Sequence, residues 1–411
     1  MEKIERMDRA IFLCLCGYAL FSCISNALAE NLTLLGVIIG IIRCIKEPKN
    51  FLSIEFAKPY IRGIYIFFIF LFLLIFTSPE IMISANEYWN HFRRLGPFIL
   101  GMFFVSNRKQ VLWLAGLLLL SLMINNIFAI YNQLNLLFNT GGWGRTFGFE
   151  KNIIVLAGLL LITIPSLFIL ILSNKTKKLF KYLLSFCLVI SLVTLLMNGT
   201  RAAWFITIFF MMIIPFIVVK SKRNLFFLIS IIMLFIIGIG VSTSTINQRI
   251  ISSFDMQHTS NKGHYLVVRD SLEMIKDNPL IGVGIGRFKT VLNQSYASPE
   301  LSEISRGKYN HAHNNIIFIL AETGLIGGIA FCYMFGSLFF YSWKKWKNDK
   351  DIIALIFFFA TLAITLQGIL ETSFRLHIVI KIYYFLLLLY IKYHIYSYDG
   401  LNITYENKSR M

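Results

Sequence analysis

Apolar residues fall in long runs along nearly the whole chain, bounded by short stretches rich in Lys, Arg, Asn, Gly or Pro. The runs approach the length at which a helix crosses ~30 Å of hydrocarbon. They lie near 10–27, 28–43, 62–77, 94–106, 111–131, 153–173, 180–197, 202–219, 224–241, 314–342, 352–370 and 376–397. The first two share one nearly continuous run, divided at the polar Glu30-Asn31. This pattern predicts an all-α polytopic membrane protein of about 12 transmembrane helices, because only closed hydrogen-bonding elements survive in lipid. It divides the chain into residues 1–241 with helices 1–9, a loop domain at 242–313, residues 314–397 with helices 10–12, and a polar, loose tail at 398–411. Inside the loop, Tyr265–Lys276 reads as a helix with Asp270, Glu273 and Asp277 near one face.

Composition agrees: 57% of residues are hydrophobic and 15% charged, against roughly 25% charged in soluble domains. A net charge of +18 raises nucleic acid as a partner. The distribution of that charge removes it, because Lys and Arg gather in alternate short loops as cytoplasmic retention of positive charge requires. With the amino terminus inside, the cytoplasmic loops hold Lys175, Lys177, Lys178 and Lys181, then Lys344, Lys345, Lys347 and Lys350, among others. The short external loops hold only Arg93, Arg94, Arg145, Lys151, Arg201 and Arg375. That orientation puts 242–313 outside, and a long loop of this kind is usually functional. Lys3, Arg6 and Arg9 before the first run, with Ala27-Leu28-Ala29 after it, resemble a signal peptide. The span that follows at once favours a retained helix. The 6 cysteines form no CxxC pair and read as small hydrophobes.

Three polar elements converge on the external face. Asn198-Gly199-Thr200-Arg201 precedes a span, where Asn198 or Thr200 is placed to cap the helix and Arg201 adds charge to its positive end, a site suited to phosphate. The alternative for Arg201 is an interfacial anchor that snorkels to headgroups. Tyr309-Asn310-His311-Ala312-His313-Asn314-Asn315 also leads into a span, and the helix end there favours a neutral His313 ring able to accept a proton. His311 and His313, with no carboxylate or cysteine nearby, make a poor metal signature, so no metal is expected. The third element is Arg269 followed by Asn278 through Phe288, whose Gly282-Val283-Gly284-Ile285-Gly286 lacks the spacing and setting of a nucleotide loop. These glycines suit tight turns or close packing.

Other chemistry is poorly represented. The Asp349-Lys350-Asp351 triplet falls on the cytoplasmic side, away from these elements. The spans carry few charges, chiefly Glu322, Glu371 and Lys381, where a proton-coupled transporter would show paired ionisable groups and repeat-related halves.

His313-Asn314, nine residues, Gly324, two residues and Gly327 resemble the signature of the O-antigen ligases. Thr200-Arg201-Ala202-Ala203-Trp204 is similar to the arginine element shared by O-antigen ligases and polymerases. Gly144-Arg145-Thr146-Phe147-Gly148-Phe149 resembles an upstream external element of that superfamily, although Glu150-Lys151-Asn152 departs from its usual Asn-Pro-Asn. Arg269 with Pro279–Phe288 is similar to its long-loop element. The resemblance implies a GT-C-like glycosyltransferase of the bacterial inner membrane with a periplasmic active site and no cofactor. Its donor would be an undecaprenyl-diphosphate-linked glycan and its acceptor lipid A–core, the product belonging to lipopolysaccharide biosynthesis. It implies His313 as general base, Arg201, Arg269 and Arg145 holding the diphosphate, and Asn314 and His311 in support. An O-antigen polymerase, a protein O-oligosaccharyltransferase and, from another class, a glycan or lipid flippase are the alternatives.

Overall fold

The computed structural model describes residues 2–47, 59–141, 144–219, 259–305 and 309–408, and among these every regular element is helical. In chain order these are α1 (Glu2–Phe21), α2 (Asn26–Lys46), α3 (Pro59–Ile75), α4 (Ile81–Phe92), α5 (Gly96–Phe104), α6 (Arg108–Thr140), α7 (Ile153–Leu172), α8 (Lys178–Asn198) and α9 (Arg201–Val218). Further along come α10 (Thr259–Asp277), α11 (Phe288–Val291), α12 (Pro299–Ser305), α13 (Asn315–Asp349), α14 (Ile352–Leu370) and α15 (His377–Lys408). Eight of the described helices are long and apolar enough to cross a bilayer, and Ile61–Ile75 is a shorter apolar helix. The chain is an all-α multi-pass membrane protein. The expected span at 224–241 and the first part of the long loop lie outside the described residues.

The apolar stripe of each helix decides its place in the bundle. α7 is apolar on all sides, and from Val155 to Ile169 every residue but Ser166 is buried, so it forms the centre against α8, α9 and α14. α8 turns Leu179, Phe186 and Val189 outward instead, as a lipid-facing helix does. Helix ends sort into two groups. At one end, Asn198 Nδ2 donates to Ile153 O (2.9 Å), His377 meets Glu150 (3.2 Å) and Lys381 Nζ donates to Asn26 Oδ1 (2.9 Å). At the other, Arg43 meets Asp8 (3.0 Å), Arg108 donates to Tyr393 Oη (2.9 Å) and Tyr396 Oη donates to Val105 O (2.7 Å).

Four local readings of the sequence differ from the fold. The break between α1 and α2 falls at Ser22–Ser25, where the Ser25 hydroxyl caps α2 through Leu28 N, and not at Glu30-Asn31. Glu30 stays within α2 because Lys381 of α15 and Arg93 (3.6 Å) neutralise it there. The run at 94–106 is a 3₁₀ turn and the nine-residue α5, about 14 Å of helix. Side chains extend its reach: Arg94 donates to Phe374 O (2.9 Å) at one end, and Val105 accepts from Tyr396 at the other. α15 continues to Lys408, so 398–408 is helical and not a loose tail.

The fourth difference bears on the site. α13 breaks at Gly324, which takes φ 61° and ψ −163°. Asn315 Nδ2 donates to Ser373 Oγ (2.9 Å), yet the Phe331 ring lies 5.2 Å from the Phe374 ring. A straight helix would put residues 315 and 331 on the order of 24 Å apart. The segment 315–323 therefore folds across the end of the bundle, and the crossing part of α13 begins after Gly324. The loop at 279–288 fills the break: Val283 N donates to Ala321 O (2.9 Å), Gly284 N to Glu322 O (3.0 Å) and Leu325 N to Pro279 O (2.8 Å). A Cβ on Gly324 would sit 2.2 Å from the Leu280 carbonyl carbon, so only glycine fits. Glu322 completes the joint, its Oε1 accepting from Gly286 N (3.0 Å) and Phe288 N (3.3 Å). The glycine-rich stretch is a packing device, as its spacing suggested.

Candidate active site

His313 sits just before α13 with φ 49°, a strained conformation for a non-glycine residue that tends to mark functional sites. Asn314 follows as the helix cap, its Oδ1 accepting from Ile316 N (2.9 Å) and Ile317 N (3.1 Å). Its Nδ2 donates to Ile369 O (3.1 Å), tying the start of α13 to the end of α14. Asn315, beyond the quoted signature, accepts from Phe374 N (3.0 Å). The two asparagines thus hold the turn at 371–375 against the histidine.

That turn supplies what the sequence reading missed. His313 Nδ1 lies 2.8 Å from Glu371 Oε2, and both side chains are largely buried. The only earlier sign of Glu371 was its charge at the edge of an apolar run. The His264 ring from α10 stacks on His313 with centroids 3.9 Å apart, while His311 and Tyr309 approach edge-on at 4.3 Å and 5.6 Å. His311 is held by Thr372 (3.3 Å), and Arg375 donates to Asn310 O (2.7 Å). Burial, reinforced by the neighbouring His313, pushes the His264 and His311 rings down to about 4, so both are neutral at pH 7. Burial raises the Glu371 carboxyl, but the hydrogen bond and charge of His313, with His264 and His311 adding to them, outweigh that and hold it below the usual range.

The arginines separate. Gly199, at φ 67°, ends α8 and turns the chain into α9, whose first residue is Arg201. Thr200 holds the cap position, yet its hydroxyl does not cap α9; it accepts from Arg145 (3.0 Å). Nor does the Asn198 side chain cap the helix, since its Nδ2 donates to Thr146 O (3.1 Å) and Ile153 O. Arg145 also reaches Asn198 O (3.4 Å), and its loop is pinned by stacking of Phe149 on Phe128 and by Phe149 N donating to Asn125 (3.0 Å). Arg201 donates to Asn261 Oδ1 (3.0 Å), one helical turn from His264 on α10. So α10 links Arg201 to His313, while Arg145 reaches Thr200 and Asn198 beside Arg201. Arg269 lies further along α10 and pairs with Asp270 (3.0 Å) and Glu300 (3.3 Å).

One sequence argument does not survive folding. His311 and His313 have no carboxylate nearby along the chain, but donor atoms of His264, His313 and Glu371 lie within 4.8 Å of one another. These three residues are the described group best placed to hold a metal ion.

Residues 186–332 match the family described as O-antigen ligase. Over that stretch the chain is similar to the O-antigen ligases. The match supports the O-antigen ligase superfamily, and it takes in Arg201, α10, His313 and the Gly324 break. Arg145 and Glu371 fall outside the matched residues. No curated protein matches the chain.

Proposed function

We propose that the protein is an O-antigen ligase that transfers a glycan from undecaprenyl diphosphate to a sugar hydroxyl of lipid A–core, on the periplasmic face of the bacterial inner membrane. The observation that carries this reading is the His313–Glu371 pair joined through α10 to Arg201, with Arg201, α10 and His313 inside the stretch that is similar to the O-antigen ligase family. Glu371 holds His313 in the tautomer with Nδ1 protonated, leaving the Nε2 lone pair to take the proton of the acceptor hydroxyl. The hydroxyl oxygen forms a bond to the anomeric carbon as the bond from that carbon to the diphosphate oxygen breaks. The family resemblance implies inversion. Glu371 then stabilises the imidazolium, and negative charge passes to the leaving diphosphate.

That charge meets Arg201, Arg145 and the amino-terminal end of α9, which the Thr200 side chain does not cap. A guanidinium suits the task because its planar fork pairs bidentately with phosphate and stays ionised. Arg269 is placed third, since two carboxylates already engage it. No step in this scheme calls for a metal.

The test uses purified protein in detergent with undecaprenyl-diphosphate glycan, lipid A–core and EDTA, and transfer is read on a gel. Wild type should transfer, while His313→Ala should lose roughly 10²–10⁴ in rate with its chromatographic profile unchanged. Glycan chains growing on the carrier, with lipid A–core unmodified, would replace the ligase with a polymerase of the same superfamily. Transfer to a protein acceptor would replace it with an O-oligosaccharyltransferase. Carrier movement without bond formation would point to a flippase.

A further inference from the structure

We propose that His264, His313 and Glu371 form a binding site for a zinc-class divalent cation, and that filling this site switches off His313 as a base. The inhibitory half of this statement rests on the role assigned to His313 above; the binding half does not. Two imidazoles and one carboxylate are a donor set that zinc takes in catalytic sites, with a fourth position open to water. The donors come from α10, the loop before α13 and the end of α14, so three separate elements bring them together.

The space fits with modest adjustment. Zinc bonds of 2.0–2.2 Å in tetrahedral geometry set donor atoms about 3.4 Å apart. The His313 and Glu371 atoms stand at 2.8 Å, and all three donors lie within 4.8 Å. An ion between His313 and Glu371 would open their hydrogen bond slightly and draw the His264 ring inward by about 1 Å. The His264 ring, stacked on His313 at 3.9 Å, would also turn about its Cβ–Cγ bond so that both imidazoles meet the ion in their ring planes. Magnesium and calcium prefer oxygen donors in larger number, so two imidazoles select against them.

Inhibition follows from either mode of coordination. An ion on Nδ1 forces the remaining proton of a neutral His313 ring onto Nε2, and the ring then has no lone pair for the acceptor hydroxyl. An ion on Nε2 occupies that lone pair directly. In the first case the ion also takes the Glu371 carboxylate that orients the ring.

The experiment titrates tag-free, metal-stripped protein in detergent with Co²⁺ and records its visible spectrum, then adds Zn²⁺ in competition. One equivalent of Co²⁺ should give the strong bands of four-coordinate cobalt, and Zn²⁺ should abolish them while Mg²⁺ and Ca²⁺ do not. His264→Ala and Glu371→Ala should each weaken binding by more than about 100-fold, because losing a direct ligand costs more than the roughly 10–100-fold typical of an outer-shell partner. Zn²⁺ should inhibit glycan transfer with the midpoint of the spectral titration, and EDTA should restore it. Absence of the bands, binding by both variants as tight as wild type, or full transfer with the site saturated would each overturn the proposal. A metal-free wild type that transfers nothing would count against the ligase reading, and the cobalt spectrum would still decide the site.

Discussion

Arg201 and Arg269 play the same part in the sequence reading, and the fold gives them different surroundings. Arg201 stands at the first position of α9, beside a helix end that the Thr200 side chain does not cap, and donates to the neutral amide of Asn261. Arg269 lies midway along α10 with Asp270 and Glu300 at 3.0 Å and 3.3 Å. The first arrangement concentrates positive potential where an anion could approach. The second spends the guanidinium on two carboxylates, and Asp270 in turn accepts from Ser298 N (2.9 Å) and Oγ (2.8 Å), which builds α10 onto the start of α12. A motif that specifies "arginine here" does not show that two carboxylates engage Arg269; the fold does.

The widest separation should come from Arg201→Ala, which removes a charge aimed at the leaving group and should cost about 10²–10³ in transfer rate with little change in Tm. A loss below about tenfold would leave Arg201 as an interfacial anchor. Glu371→Gln should cost on the order of 10–100-fold while the protein still folds, because glutamine keeps the shape but cannot stabilise the imidazolium; unchanged rate would remove the pair from the mechanism. Arg201→Lys retains a charge and loses the fork, so a loss of about tenfold is expected, between wild type and alanine. Arg269→Ala should lower the rate by less than about tenfold and lower Tm instead, since the buried Asp270 loses a partner. A larger rate loss at Arg269 than at Arg201 would invert the comparison.

The smallest effect concerns pH. His264 and His311 have folded values near 4, below the ordinary 6.5 of the unfolded chain. The unfolded state therefore binds more protons between those values, and stability is full above about 6.5 and declines as pH falls towards 4. Thermal unfolding at pH 5 should occur below that at pH 7, and His264→Gln should reduce the difference. An equal shift in the variant would detach His264 from it.

Much of the bundle was legible because helix period and length are local properties. α7 and α14 could be read from uninterrupted apolar runs, and the family signature pointed to His313. The nine residues between His313-Asn314 and Gly324 take on physical meaning only in the fold: they form the segment that lies across the end of the bundle, from His313 to the hinge. The break at Glu30 was misread because a charged residue inside an apolar run looks like a boundary until its partner, Lys381, arrives from the far end of the chain. Glu371 shows no task in the sequence for the same reason, since nothing local couples residue 371 to residue 313.

The sequence by itself determined that this chain is helical and membrane-spanning, and that its histidine signature and Arg201 resemble those of one superfamily, because hydropathy, spacing and composition act over a few turns of chain. Only the tertiary structure decided which charges are neutralised, which histidine meets a carboxylate, and that three donors from distant elements converge. Those outcomes depend on distances of a few ångströms between residues far apart in sequence, and electrostatic and hydrogen-bond energies are set by that separation.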